Sequence, residues 1–176
     1  IDKWMGINID YYVKVNFTAL VSLVDSIGGI EVDVPYSFCE QNSNREWGKN
    51  TVYVKKGKQT LTGEQALALS RNRHPNPSHC SAEWTNYYSD DITRGQNQQL
   101  VLNALINKSA KSLNLENIYS ILDIIDTNVD TNMKISEITS YYNVIKDIAL
   151  KTMNENKNMI NFERLQISTY GKSLYD

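Results

Sequence analysis

The chain has 176 residues, with 18 Lys+Arg against 20 Asp+Glu and a formal net charge of −2. Hydrophobic residues make up 41% and charged residues 22%, the proportions of a globular domain large enough to bury a core. The near balance of charge argues against a general nucleic-acid binder, which needs a basic excess to neutralise phosphates, and no apolar run approaches the roughly 20 residues that cross a bilayer.

Ile1-Asp2-Lys3-Trp4-Met5-Gly6 reads as the last turn of a helix closed by a glycine. We therefore expect one domain over residues 1–176, the C-terminal portion of a larger protein. Tyr11 to Val15 is rich in strand formers, and Asn16 is placed to cap a helix with Leu20, Val21, Leu23, Val24 and Ile27 at helical spacing. Gly28-Gly29 ends that helix, and Ile30 to Val34 alternates as a strand before Pro35. Residues 36–50 are polar and Asn-rich, which predicts a loop. Thr51 to Val54 reads as a short strand and Lys55 to Lys58 as a turn.

Thr62 caps a second helix that runs to Arg71-Asn72-Arg73. Residues 74–90 hold two prolines and no periodicity, a long loop. From Asp91 a long helix is predicted, with Leu100, Val101, Ala104 and Leu105 inward. Further helices are predicted at 115–125 and 136–151, with strands at Asn128 to Met133 and Phe162 to Ile167. Strands alternating with helices indicate a layered α/β fold.

The two cysteines, Cys39 and Cys80, form no Cys-x-x-Cys pair. A disulfide between them is the reading we favour, and it implies an oxidising, extracytoplasmic compartment. Zinc held by Cys39, His74, His79 and Cys80 matches no common module spacing. Two separate buried thiols are the plain alternative.

Most charges read as solvated helix faces, but one group does not. Arg71 and Arg73 close an apolar helix, while Asp91, Arg94 and Gln98 share one face at the head of the next. Guanidinium forks match phosphate oxygens, and a helix N-terminus adds positive potential, so this is a candidate phosphate site. The plainer alternative has Asp91 capping its helix and pairing with Arg94, with Arg71 and Arg73 as cations favoured by the helix dipole. No Gly-rich phosphate cradle, nucleophile elbow or His-Glu-x-x-His motif is present.

Several stretches in order resemble the LytR–CpsA–Psr family of bacterial cell-envelope proteins. They are Ile9 to Phe17, Val24 to Val32, Gly57 to Leu67, Arg71-Asn72-Arg73, and Asp91-x-x-Arg94 with Gln98. The resemblance implies a three-layer α/β/α sandwich around a central mixed sheet, with a hydrophobic pocket for a polyprenyl carrier. It implies a phosphotransferase that moves an anionic glycopolymer, teichoic acid or capsular polysaccharide, from polyprenyl pyrophosphate to peptidoglycan. Arg71, Arg73, Asp91 and Arg94 match the family's catalytic positions, and Arg71, Arg73, Arg94 and Gln98 those that contact the pyrophosphate. The implied location is the extracytoplasmic face of a bacterial, Gram-positive membrane, through an N-terminal helix upstream of this chain. Mg²⁺ or Mn²⁺ is expected through upstream aspartates, so the resemblance gives this chain no metal ligand, and the segment alone is expected to be inactive unless another chain supplies the rest. The alternative is a non-catalytic domain that binds polyprenyl phosphate or glycopolymer, or a regulatory one in keeping with the family's older attenuator label. Two departures stand out: a long gap from Arg73 to Asp91 that contains Cys80, and Asn97 where many members carry a third basic residue.

Overall fold

A computed structural model of the chain describes residue 6, residues 8–87, 90–111 and 129–134, and residues 136, 137, 140, 141 and 144. Strand β1, Val13–Val15, leads into helix α1, Phe17–Ser26. Asn16 caps α1 as expected: its Oδ1 accepts the Ala19 N–H at 2.7 Å. Gly28 and Gly29 adopt φ of +74° and +86°, and their N–H groups donate back to the carbonyls of Asp25 and Val24. Left-handed backbone at both positions is what glycine supplies without steric cost.

Strand β2, Ile30–Val34, buries Ile30, Val32 and Val34 and exposes Glu31 and Asp33. Two strands then depart from expectation. Phe38–Glu40, inside the predicted loop 36–50, is β3; it pairs antiparallel with β4, Val52–Val54, with Cys39 opposite Tyr53. Gly57–Leu61 is β5, antiparallel to β2 with Ile30 opposite Leu61, so the predicted turn shrinks to Lys55-Lys56. Strand β3 is only three residues long and β5 is largely polar, and pairing with a partner strand makes them strands rather than any local pattern.

Helix α2, Gly63–Arg71, opens with a capping box in which Thr62 and Gln65 exchange side-chain and backbone bonds. Ala66 to Leu69 are buried without interruption. Gly63 lies against the Val21 backbone, where a Cβ would collide, and its N–H donates to Asp25 Oδ1 at 2.7 Å. That close approach seats α2 on α1.

Helix α3, Asp91–Lys111, packs on α2 and β2. Val101 is buried, and Ala104 and Leu105 pack on the core. Leu100 is exposed, contrary to the expected inner stripe. The stripe runs through positions 97, 101, 104 and 105, and Leu100 lies at its edge, about 85° from its centre. The core joins α1, β2, β3, β4, β5, α2 and α3 through Val24, Ile30, Val34, Phe38, Val54, Leu61, Leu69 and Val101.

Strand β6, Val129–Thr131, pairs antiparallel with β1, within the strand expected at 128–133. The described residues of 136–151 are helical. The expectations at Ile1 to Met5, 115–125 and Phe162 to Ile167 lie outside the described residues. Helices and strands alternate as an α/β fold, and the described pairing forms three two-stranded ladders, β1–β6, β2–β5 and β3–β4.

Candidate functional site

Three of the expected site residues meet where α2 ends and α3 begins. Asp91 Oδ1 lies 2.7 Å from Arg94 Nη2 and 3.7 Å from Arg73 Nη1. All three side chains reach solvent, Asp91 with 70% of its side chain exposed. Exposed pairs of this kind contribute about 0–1 kcal/mol to stability, so their value lies in holding two guanidiniums in a defined geometry. One carboxylate against two cations leaves the cluster a net positive charge.

Asp91 is not the helix cap. Asp90 takes that place: its Oδ1 accepts the Thr93 N–H at 2.6 Å and its carbonyl accepts the Arg94 N–H. The Thr93 N–H, and after it the Thr93 hydroxyl, hold the Asp90 carboxyl below its ordinary pKa. The plainer reading of the sequence, with Asp91 as the cap, is therefore one residue out, because Asp90 directly precedes it and reaches the same backbone. With Asp90 on the backbone, Asp91 is left for the arginines.

Arg71 faces elsewhere. Its Nη1 donates to the Asn42 carbonyl at 3.1 Å, its Nη2 reaches Gln41 Oε1 at 3.5 Å, and the guanidinium lies 4.7 Å from the Phe17 ring centroid. Gln98 donates to the Ser70 carbonyl at 3.2 Å, tying α3 to the last turn of α2. Arg73 Nε also donates to His74 Nε2 at 2.8 Å.

Asn97, expected beside the phosphate site as a weaker stand-in for a basic residue, is instead buried, and its amide donates to the Tyr36 hydroxyl at 2.5 Å. It belongs to the buried stripe of α3, where a cation would lose its hydration.

Cys39 and Cys80 are joined by a disulfide, with Cα atoms 6.1 Å apart. The bond removes both thiolates from the zinc alternative and excludes separate thiols; His79 stacks on Trp47 at 4.3 Å. Asn76 donates to the Cys39 carbonyl, and Trp84 meets Tyr53 edge-on. Segment 74–87, which carries the chain from Arg73 towards Asp91, is thus pinned to β3 and β4. Among the described residues no group of three or more His, Cys, Asp or Glu side chains is arranged to hold a metal ion. Among them, too, no helix is long and apolar enough to cross a membrane.

The LytR_cpsA_psr family model matches residues 1–174. The chain belongs to this family. TagV of Bacillus subtilis, a polyisoprenyl-teichoic acid–peptidoglycan teichoic acid transferase by name, is 34% identical over 78% of this chain and 32% of its own length. An uncharacterised Staphylococcus aureus protein is 32% identical over 86% of this chain and 34% of its own. The crystal structure of B. subtilis TagV superimposes with a TM-score of 0.62 at 32% identity, covering 83% of this chain and 50% of that one. A structure of TagT bound to LI-WTA aligns with a TM-score of 0.55 at 26% identity, covering 82% of this chain and 47% of that one. The chain therefore spans about a third of the length of these curated relatives.

Proposed function

We propose that the protein is a glycopolymer phosphotransferase that attaches an anionic cell-wall polymer, of the teichoic acid class, from a polyprenyl pyrophosphate carrier to peptidoglycan. The observation that carries this reading is the Arg73–Asp91–Arg94 cluster, standing on the family's motif positions in a chain whose relatives are named teichoic acid transferases. On this reading the 176 residues belong to one catalytic domain, working at the extracytoplasmic face of a Gram-positive membrane.

In the reaction an acceptor hydroxyl oxygen bonds to the phosphorus that carries the polymer, and the hydroxyl proton passes to the departing phosphate or to water. The bridging P–O bond breaks, and polyprenyl phosphate leaves with the electron pair. Negative charge gathers on the bridging and terminal oxygens, and arginines offset it best when already in place. Arg73 and Arg94 are held for this role by Asp91, which we assign as a positioning residue rather than a base because both nearby cations engage its carboxylate. Arg71 supplies a third guanidinium and Gln98 fixes the α2–α3 junction. The described residues do not fit a divalent-metal site.

The test is Arg71→Ala and Arg94→Ala in the intact protein, assayed by mass spectrometry for polyprenyl phosphate released from a short polyprenyl pyrophosphate-linked saccharide. Each variant should lose about a hundredfold or more in rate while its far-UV circular dichroism is unchanged. Full activity in both would remove the phosphate-site assignment. Binding of the donor without turnover in the wild type would select a carrier-binding module instead.

A further inference from the structure

Arg45 is the one non-glycine residue with positive φ among the described residues, at +63°. An L side chain there costs free energy that glycine would avoid. The turn that holds it is well built. The Arg45 N–H donates to the Asn42 carbonyl and the Glu46 N–H to Asn42 Oδ1. Glu46 Oε2 accepts from both Asn42 and Asn50 side-chain amides, at 3.0 and 2.6 Å.

Helix α2 clamps this turn at two points. Glu64 accepts the Ser43 N–H at 2.8 Å together with the Ser43 hydroxyl, and Arg71 donates to the Asn42 carbonyl. Glu64 and Arg71 are seven residues apart and so share one helix face. The helix that presents Arg71 therefore also positions the turn that presents Arg45.

Both guanidiniums are gathered at a single ring: Arg71 lies 4.7 Å and Arg45 5.9 Å from the Phe17 centroid. Among the described residues neither takes part in an ion pair, where the pairs are Lys14–Asp130, Arg73–Asp91 and Arg94–Asp91. The carboxylates of Glu46 and Glu64 are hydrogen-bonded to amides and to the Ser43 hydroxyl rather than to either guanidinium. Two cations gathered at one ring without a direct ion pair, one of them on strained backbone, repel each other in the empty protein, and a bound anion would offset that repulsion.

We propose that Arg45 is a phosphate ligand acting with Arg71, a guanidinium pair separate from the Asp91-tethered one. The inference rests on the phosphate-site reading above. Its ligand is a phosphate group of the donor, either in the carrier's pyrophosphate or in the polymer.

The test is calorimetric titration of the intact protein with inorganic pyrophosphate and, separately, with a glycerol-phosphate oligomer. It compares wild type with Arg45→Gly, Arg45→Lys and, as a charge control, Lys14→Gln. Arg45→Gly relieves the backbone strain, so its thermal midpoint should hold or rise while affinity falls about tenfold. Arg45→Lys should recover part of that loss, and Lys14→Gln should bind as wild type. Weakening toward pyrophosphate places Arg45 on the carrier's phosphates, and weakening toward the oligomer alone places it on the polymer. Unchanged affinity of Arg45→Gly for both probes, with wild type binding, overturns the role of Arg45 and leaves the main site standing. A folded wild type that binds neither probe overturns both.

Discussion

Arg71 and Arg73 stand two residues apart at the end of α2, yet their side chains enter different surroundings. Arg73 turns towards α3, where Asp91 holds it together with Arg94. Arg71 turns towards the 41–46 turn, where backbone and amide oxygens and the Phe17 ring receive it without a counter-charge. The first arrangement spends part of its positive potential on a carboxylate in exchange for defined geometry. The second keeps its full charge and obtains geometry from neutral partners. A site that must both orient and attract a polyanion is served by having one of each.

The largest disruption expected is Asn97→Arg, which places a cation in the buried stripe of α3. Burying a guanidinium against Tyr36 in the α3 stripe should cost on the order of 3–5 kcal/mol, loosening both halves of the site together. Urea denaturation measures it, and an unchanged midpoint with tighter phosphate binding would mean that position 97 faces the site.

Breaking the Cys39–Cys80 bond, by reduction or as Cys39→Ala with Cys80→Ala, should cost about 2–4 kcal/mol. The loss should fall on the Arg73 side, because segment 74–87 runs from that residue towards Asp91. Hydrogen exchange under reducing conditions should rise across 74–87 more than across α2. Equal protection with and without reductant would show that the Trp47–His79 and Tyr53–Trp84 contacts hold the segment unaided.

Asp91→Asn sharpens the comparison from the other direction. Stability should move by less than about 1 kcal/mol, since the pair is exposed, whereas donor turnover should fall about tenfold or more as Arg73 and Arg94 lose their common anchor. A turnover equal to that of wild type would reduce Asp91 to a surface ion pair.

The smallest effect concerns pH. Because the Asp90 carboxyl is held below its ordinary value of 3.8, its contribution to stability is present above that pH and is lost as pH falls through the lowered value. Asn also caps helices but does not titrate. Thermal melts of Asp90→Asn against wild type should therefore converge as the solution is acidified and separate above pH 4. Parallel curves at every pH would place the acid sensitivity elsewhere.

Much of this architecture was legible before any coordinates. Asn16 and Thr62 as caps, Gly28-Gly29 as a terminator and the alternation of Ile30 to Val34 are local signals, each resolved within about one turn of chain. The family was legible as well, because its motif residues recur in order along the chain and its model matches residues 1–174. Strands β3 and β5 were not, since Phe38–Glu40 and Gly57–Leu61 are strands by virtue of β4 and β2 rather than of their own composition. Leu100 and Asn97 exchanged places for a related reason: the inward face of α3 is set by what packs on it, and an amide that finds the Tyr36 hydroxyl is as well buried as a leucine.

The sequence by itself determined the caps that open α1 and α2, the α/β class, the family and the short roster of arginines around Asp91, because these rest on capping, periodicity and motif order, which act over a few residues or survive as letters. Only the tertiary structure decided which arginine faces which partner, that Asp90 rather than Asp91 serves the backbone, and that Arg45 is brought to the same ring as Arg71. The placement of the arginines depends on contacts between residues at least 18 positions apart, made by side chains whose direction is set when α1, α2, α3 and the 41–46 turn close on one another.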